Sequence, residues 1–266
     1  MILQSTDGKT RVLSLSYGKD SMACLGAIEM LGWTLDRIIT AEVWATDSIQ
    51  AELPPMVKFK AYADKVILER YGIEVEHFYA VDKTGRKLTF ERRFYQAYQA
   101  GRKIGRIYGW PILRGNWCND LKMAAIAQAK NTVDGRAIEY IGIAADEQKR
   151  FHNLTGTKLS PLVEIGWTEA DCLKWCEQQD LLSPIYAQST RGGCWFCFNQ
   201  SVQQLRLLRT QYPELWSYML KWDADSPTTF HPYGHTVYDF DKRFFLEEQE
   251  RVPKDRRFRW VMLKED

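Results

Sequence analysis

Residues 11–21, RVLSLSYGKDS, decide the fold. Val12, Leu13 and Leu15 form a compact apolar run bounded by turn residues, which predicts a short strand in a covered sheet. Tyr17-Gly18 makes the turn, and SMACLGAIEML follows as a helix that is apolar nearly all round. A strand that passes through a glycine turn into a helix aims free backbone N–H groups and the positive helix end at one spot, which favours phosphate. Ser16 and Ser21 add hydroxyls, Lys19 adds a mobile positive charge, and Gly18 lets the backbone approach a ligand. The stretch is not a Walker loop: Asp20 follows the lysine, and only one glycine is present.

Outward from this stretch, strands and helices alternate. RIITAEVWAT (37–46) reads as a second strand ending at Thr46-Asp47. Pro54 and Pro55 open a helix whose apolar residues Met56, Phe59, Ala63, Val66, Ile67 and Tyr71 recur near helical spacing. Gly72 ends that helix, residues 73–81 form a third strand and residues 138–143 a fourth. The expected fold is α/β, a doubly wound and mainly parallel sheet whose ligands lie beyond the carboxyl ends of the strands. Asp47, at the end of strand two, is a candidate for the ribose of a nucleotide or for a metal, set against a plain solvated loop carboxylate.

Residues 83–116 break the rhythm. Nine Lys or Arg (83, 86, 87, 92, 93, 102, 103, 106, 114) stand there against one acid, Glu91. Phe90, Phe94, Tyr95, Tyr98, Tyr108 and Trp110 are interleaved with them. Positive charge tracks a phosphodiester backbone and aromatic faces stack on bases, so a nucleic-acid surface is one reading. A basic lid over an anionic nucleotide is another, and a packed helix whose aromatics face the core is a third.

Thr168 and Asp171 predict a capped helix running to Gln178, with Cys172 and Cys176 sharing one face as packing residues. Cys24 reads as buried filler in the first helix, and Cys194 and Cys197 form a C-x-x-C pair after Gly192 and Gly193. Helices at 199–210 and 213–222 and a charged helix from about Phe240 complete a helical extension. The expected domains are a nucleotide-binding domain, 1–200, carrying the 83–116 insertion, and the extension, 201–266. No apolar run approaches the ~18 residues of a membrane span, and the start lacks a signal-peptide layout, so a cytoplasmic protein is expected.

Together these stretches resemble the phosphoadenosine phosphosulfate (PAPS) reductase family of the adenine-nucleotide α-hydrolase superfamily. SYGKDS resembles its PP-loop, S-G-G-K-D-S, with Tyr17 in place of a glycine. Cys118 to Lys122 resembles its Cys-x-x-Leu-Lys, and IGIAADEQKR (141–150) its G-x-R-x-x-E-S-x-x-R. SPLVEIGWTEADCLKW (160–175) and LSPIYAQSTRGGCWFC (182–197) follow in the family's order. The resemblance implies ATP or a related adenine nucleotide held by Ser16, Tyr17, Gly18, Lys19, Asp20, Ser21 and Arg150, with Mg²⁺. It implies catalytic roles for Lys19, Asp20 and Asp47. It also implies a [4Fe–4S] cluster on Cys118, Cys194 and Cys197, with a structural zinc as the alternative.

Three departures shape the expected function. Ala144 replaces the family's first arginine, Trp117 replaces the first cysteine of a Cys-Cys pair, and no cysteine follows Cys197 to serve as the reductase nucleophile. The expected activity is therefore nucleotide-dependent sulfur activation or transfer, with nucleic acid as an acceptor and a partner protein as sulfur donor or reductant. A sulfonucleotide reductase that borrows a partner thiol and a nucleotide sensor without catalysis are the alternatives.

Overall fold

The computed structural model describes residues 2–112, 117–133, 137–187 and 193–264. Arg114 and Gly192, both named above, lie outside the described residues. The chain forms two compact units: Met1–Leu88 with Leu121–Gly193, and Thr89–Asp120 with Cys194–Asp266. The contacts thus group residues 89–120 with the C-terminal part of the chain from Cys194 onward.

The first unit is built on five parallel strands: β1 (Arg11–Ser14), β2 (Arg37–Glu42), β3 (Val75–Tyr79), β4 (Ile138–Tyr140) and β5 (Lys158–Leu159). Their order across the sheet is β3-β2-β1-β4-β5. Alternation along each strand feeds two cores, because successive side chains leave opposite faces. Leu13 and Ile38 enter the larger core with helices α1 (Lys19–Leu31) and α2 (Pro54–Tyr71). Val12 and Ile39 enter a smaller one with Ala129 of α4 (Trp117–Asn131). Both faces are therefore covered by helices, as the continuous apolar strands require.

Helix α1 is buried at every residue from Ser21 to Ile28 and packs against α5 (Pro161–Ile165) and α6 (Glu169–Gln178). Burying side chains such as Met22, Leu25 and Ile28 contributes about 1.5–3 kcal/mol each. Contact with α6 is close because Gly26 has no side chain: a β-carbon there would lie 2.4 Å from the Trp175 ring.

Several elements are shorter than the sequence predicts. β2 stops at Glu42, and Trp44 turns back to bridge Gln50, with the Thr46 hydroxyl accepting N–H groups of Ser48 and Ile49. β3 spans Val75–Tyr79, and β4 ends at Tyr140, although Ile141 N–H still reaches Leu159 O. The two-residue β5 has no apolar run to announce it.

The second unit is organised by aromatic rings. Phe90 and Phe94 lie on α3 (Phe90–Phe94), itself capped by Thr89, and both are buried with Trp110. Phe90 meets Phe196 at 4.1 Å between centroids, and Trp195 stacks on Trp222 at 5.4 Å. Three helices follow: α7 (Val202–Gln211), α8 (Pro213–Asp225) and α9 (Val237–Glu248). α9 starts earlier than the sequence reading placed it, because Thr236 and Asp239 form a capping box. Buried Asp223 joins the pieces, accepting from Trp110 Nε1 at 2.8 Å and from Val237 N–H at 2.8 Å. Phe90, Phe94 and Trp110 of the basic segment are thus core residues, while Arg102, Lys103 and Arg106 are exposed.

One glycine sets the position of α1. A β-carbon on Gly142, just after β4, would lie 2.7 Å from Ser21 N, 2.8 Å from Asp20 C and 2.9 Å from Ser21 Cα. These are backbone atoms and have no rotamer by which to yield. Gly142→Ala should lower the unfolding free energy by about 1–3 kcal/mol, as overpacking does. Urea denaturation reads this as a lower midpoint at constant slope, and an unchanged midpoint would show that the contact is loose.

Candidate functional site

The strand order reverses direction in sequence between β1 and β4, and doubly wound sheets open their ligand crevice at such a switch point. The Ser16–Ser21 turn leaves β1 at that point, and the Gly142 segment leaves β4 beside it.

The turn is closed by its own hydrogen bonds. Ser16 N–H donates to Ser21 Oγ at 3.1 Å, the two hydroxyls stand 3.0 Å apart, and Ser21 Oγ donates to Gly18 O at 3.0 Å. Tyr17 has φ of 57°, in the left-handed region that favours glycine. The backbone therefore takes, at the position of the departure from S-G-G-K-D-S, the conformation that a glycine would adopt without strain. The Tyr17 ring is fully buried and its hydroxyl donates to Asp64 Oδ1 at 2.5 Å, so only its backbone remains for the turn.

Gly18 caps α1 without a side-chain acceptor, leaving the first-turn N–H groups to other partners. Lys19 N–H donates to the Tyr186 hydroxyl at 3.1 Å, and that oxygen lies 3.4 Å from where a Gly18 β-carbon would stand. A neutral hydroxyl thus sits at the positive end of α1. Cys176 Sγ is 3.3 Å from Lys19 O, so one packing cysteine touches the first turn directly.

Lys19 Nζ contacts Asp20 Oδ1 at 2.7 Å and Glu169 Oε2 at 3.1 Å. Burial opposes its charge, but these two carboxylates raise its pKa and keep it protonated. Burial raises the pKa of Asp20, and Lys19 counters part of that rise. Glu169 N–H donates to Asp146 Oδ1 at 3.0 Å, joining the start of α6 to the β4 exit. Arg150 is exposed and pairs with Glu147, its Nη1 2.8 Å from each carboxylate oxygen. Asp47 is exposed beyond β2, where its carbonyl lies 3.4 Å from Lys87 Nζ.

Residues 16–21 are therefore brought to one place, with Arg150 and Asp47 on the neighbouring strand exits. Tyr186, Glu169 and Gly142 were missed in the sequence. Glu169 carried only a helix-start signal, and Tyr186 and Gly142 act through neighbours more than a hundred residues away in the chain.

Cys118, Cys194 and Cys197 all belong to the second unit and are half-buried. Cys197 N–H donates to Cys194 O at 3.1 Å, and Gln200 Nε2 donates to the same carbonyl at 2.8 Å, which fixes the C-x-x-C turn. Burial and then the nearby Cys197 push the Cys118 thiol up to about 11, so these two sulfurs are electrostatic neighbours. Trp117, next to Cys118, has a buried indole N–H without an acceptor among the described residues. Such a donor is unusual, and inorganic sulfide or a thiolate would satisfy it. The donor set suits a soft metal or cluster. As placed, however, no three His, Cys, Asp or Glu side chains among the described residues stand close enough to hold a metal ion together.

No family model matches the chain, and no curated protein matches it. Among solved structures, the chain aligns with the U34-tRNA thiolase NcsA from Methanococcus maripaludis with its [4Fe-4S] cluster. The alignment covers 96% of this chain and 75% of that one, at 14% identity and a TM-score of 0.38. A likeness so slight leaves fold and chemistry to be argued from this chain's own residues. Among the described residues, no helix is long and apolar enough to cross a membrane.

Proposed function

We propose that this chain is a PP-loop enzyme that binds ATP or a related adenine nucleotide at residues 16–21 and uses it to activate an acceptor for sulfur transfer. The observation that carries the reading is the position of the turn. It lies at the switch point of the sheet, where the α1 N-terminus and the Lys19 ammonium meet. A phosphate oxygen would replace the Tyr186 hydroxyl on Lys19 N–H, and Lys19 would neutralise phosphate charge. Asp20 and Asp47 are the proposed carboxylates for Mg²⁺, which would neutralise further charge on the phosphates. Arg150 would reach the nucleotide by exchanging Glu147 for phosphate.

In the proposed reaction an acceptor oxygen bonds to the α-phosphorus, the bond to pyrophosphate breaks, and sulfur then displaces AMP. The protein's share is positioning and charge neutralisation. Cys118, Cys194 and Cys197 are the proposed ligands of a [4Fe–4S] cluster, which would supply one iron without a protein ligand to carry sulfur. Support for a nucleic-acid acceptor comes from the exposed Arg102, Lys103 and Arg106. They lie on a loop closed by the Ala97–Ile107 bridge, beside the Tyr98–Tyr108 ring pair.

Loss of a charged hydrogen-bonding partner typically costs about 1.5–3 kcal/mol, so Lys19→Ala should weaken ATP binding by about tenfold or more. Calorimetry measures this, and equal affinity would overturn the site. Pyrophosphate release stimulated by RNA is the expected turnover. Thioredoxin-dependent sulfite release from PAPS would instead make the chain a reductase.

For the cysteine centre, each of the six cysteines is changed to alanine and purified without oxygen. Iron should be lost only from the variants at 118, 194 and 197, and colourless protein with one zinc would replace the cluster by a structural site. For the acceptor, replacing Arg102, Lys103 and Arg106 with serine should reduce the slope of binding against salt, because fewer counterions are released. Wild-type protein that ignores RNA at ~50 mM salt would remove nucleic acid as the acceptor.

A further inference from the structure

Tyr17 stands where a glycine would be unstrained, and its side chain runs into a network that four chain elements build. Its hydroxyl is 2.5 Å from Asp64 Oδ1 on α2 and 3.3 Å from His77 Nε2 on β3. His77 lies between two carboxylates, with Nε2 3.2 Å from Asp64 Oδ2 and Nδ1 2.8 Å from Glu42 Oε1 at the end of β2. Glu42 also accepts from Trp44 Nε1 at 3.1 Å. Lys60, buried on α2, is 5.2 Å from the Tyr17 ring centroid and pairs with Glu52.

We propose that Tyr17 is the positioning residue of the turn: Asp64, itself 3.2 Å from His77 Nε2, grips its hydroxyl and fixes the left-handed backbone that presents Gly18 and Lys19. A non-glycine residue keeps such a conformation only where its surroundings over-determine it. Here the surroundings are a fully buried ring with a charge-assisted hydrogen bond at its far end. The nucleotide part of the inference rests on the function proposed above, whereas the grip on the backbone does not.

The grip depends on pH. Its hydrogen bond to Asp64, and then that to Glu42, raise His77 from 6.5 to about 9 against the opposing effect of burial. A raised histidine contributes fully below its ordinary value, and the contribution is lost as pH rises through about 9. Neutral imidazole has one proton for two carboxylates. With the proton on Nε2, Glu42 faces the lone pair of Nδ1; with the proton on Nδ1, the bare Nε2 faces Asp64 and becomes a second acceptor competing for the tyrosine hydroxyl.

Tyr17→Phe keeps the ring and removes only the hydroxyl. Amide hydrogen exchange of the peptide covering residues 16–22, corrected for intrinsic rate, is measured for both proteins from pH 7 to 10, with ATP affinity by calorimetry alongside. The variant should exchange about tenfold faster at pH 7, a change of about 1.4 kcal/mol in opening free energy, and show no further step near pH 9. Wild type should show that step. Tyr17→Gly, which needs no grip, should bind ATP more tightly than Tyr17→Ala if both fold. Equal exchange in wild type and Tyr17→Phe would overturn the proposal. Faster exchange in the variant, together with wild type that fails to bind ATP, would uphold the grip and remove the nucleotide reading.

Discussion

The first unit depends on the approach of two backbones. The segment leaving β4 passes so close to the first turn of α1 that Gly142 has no room for a methyl group against Asp20 and Ser21. That contact places the helix N-terminus at the switch point of the sheet. The adjoining side chains then have few choices. Lys19 lies between Asp20 and Glu169, Tyr186 covers the Lys19 N–H, and Trp175 closes over Gly26. A phosphate site made from backbone donors has to be rigid, because its donors cannot rotate toward a ligand one at a time.

Charge is handled differently in the two units. Around α1 and β2 the buried or half-buried acids are matched by buried or half-buried bases: Asp20 by Lys19, Glu42 by His77, and Glu52 by Lys60. In the second unit buried Glu247 pairs with buried Arg243 and half-buried Arg206, and Arg243 also stacks on Phe258 at 3.8 Å. Removing one partner from pairs of this kind leaves an uncompensated buried charge, which costs far more than the pair contributes. Arg102, Lys103 and Arg106, by contrast, are exposed.

Aromatic residues illustrate how composition divides. The interleaving of rings and cations in residues 83–116 matches a nucleic-acid surface, yet Phe90, Phe94 and Trp110 are interior and hold the second unit together. Tyr95, Tyr98 and Tyr108 are half-buried; Tyr95 donates to Asp225, and Tyr98 and Tyr108 pair beside the exposed cations. A ring satisfies a core and a base-stacking surface equally well, so local composition cannot distinguish the two.

By itself the sequence determined the parallel α/β class, the strand–turn–helix at residues 11–31 and the helix starts at Pro54, Glu169 and Pro213. Each rests on local physics: apolar period, turn residues, prolines at a helix start, and a cap such as Thr168. It also marked Ser16 to Ser21 as one site, because those residues are consecutive. Only the tertiary structure decided that the Tyr17 backbone is left-handed while its hydroxyl is held by Asp64, 47 residues away. The same is true of Tyr186 over Lys19 and of Gly142 under α1. These are contacts between distant segments, which a buried donor, a charge or a missing methyl defines only after the chain has folded around it.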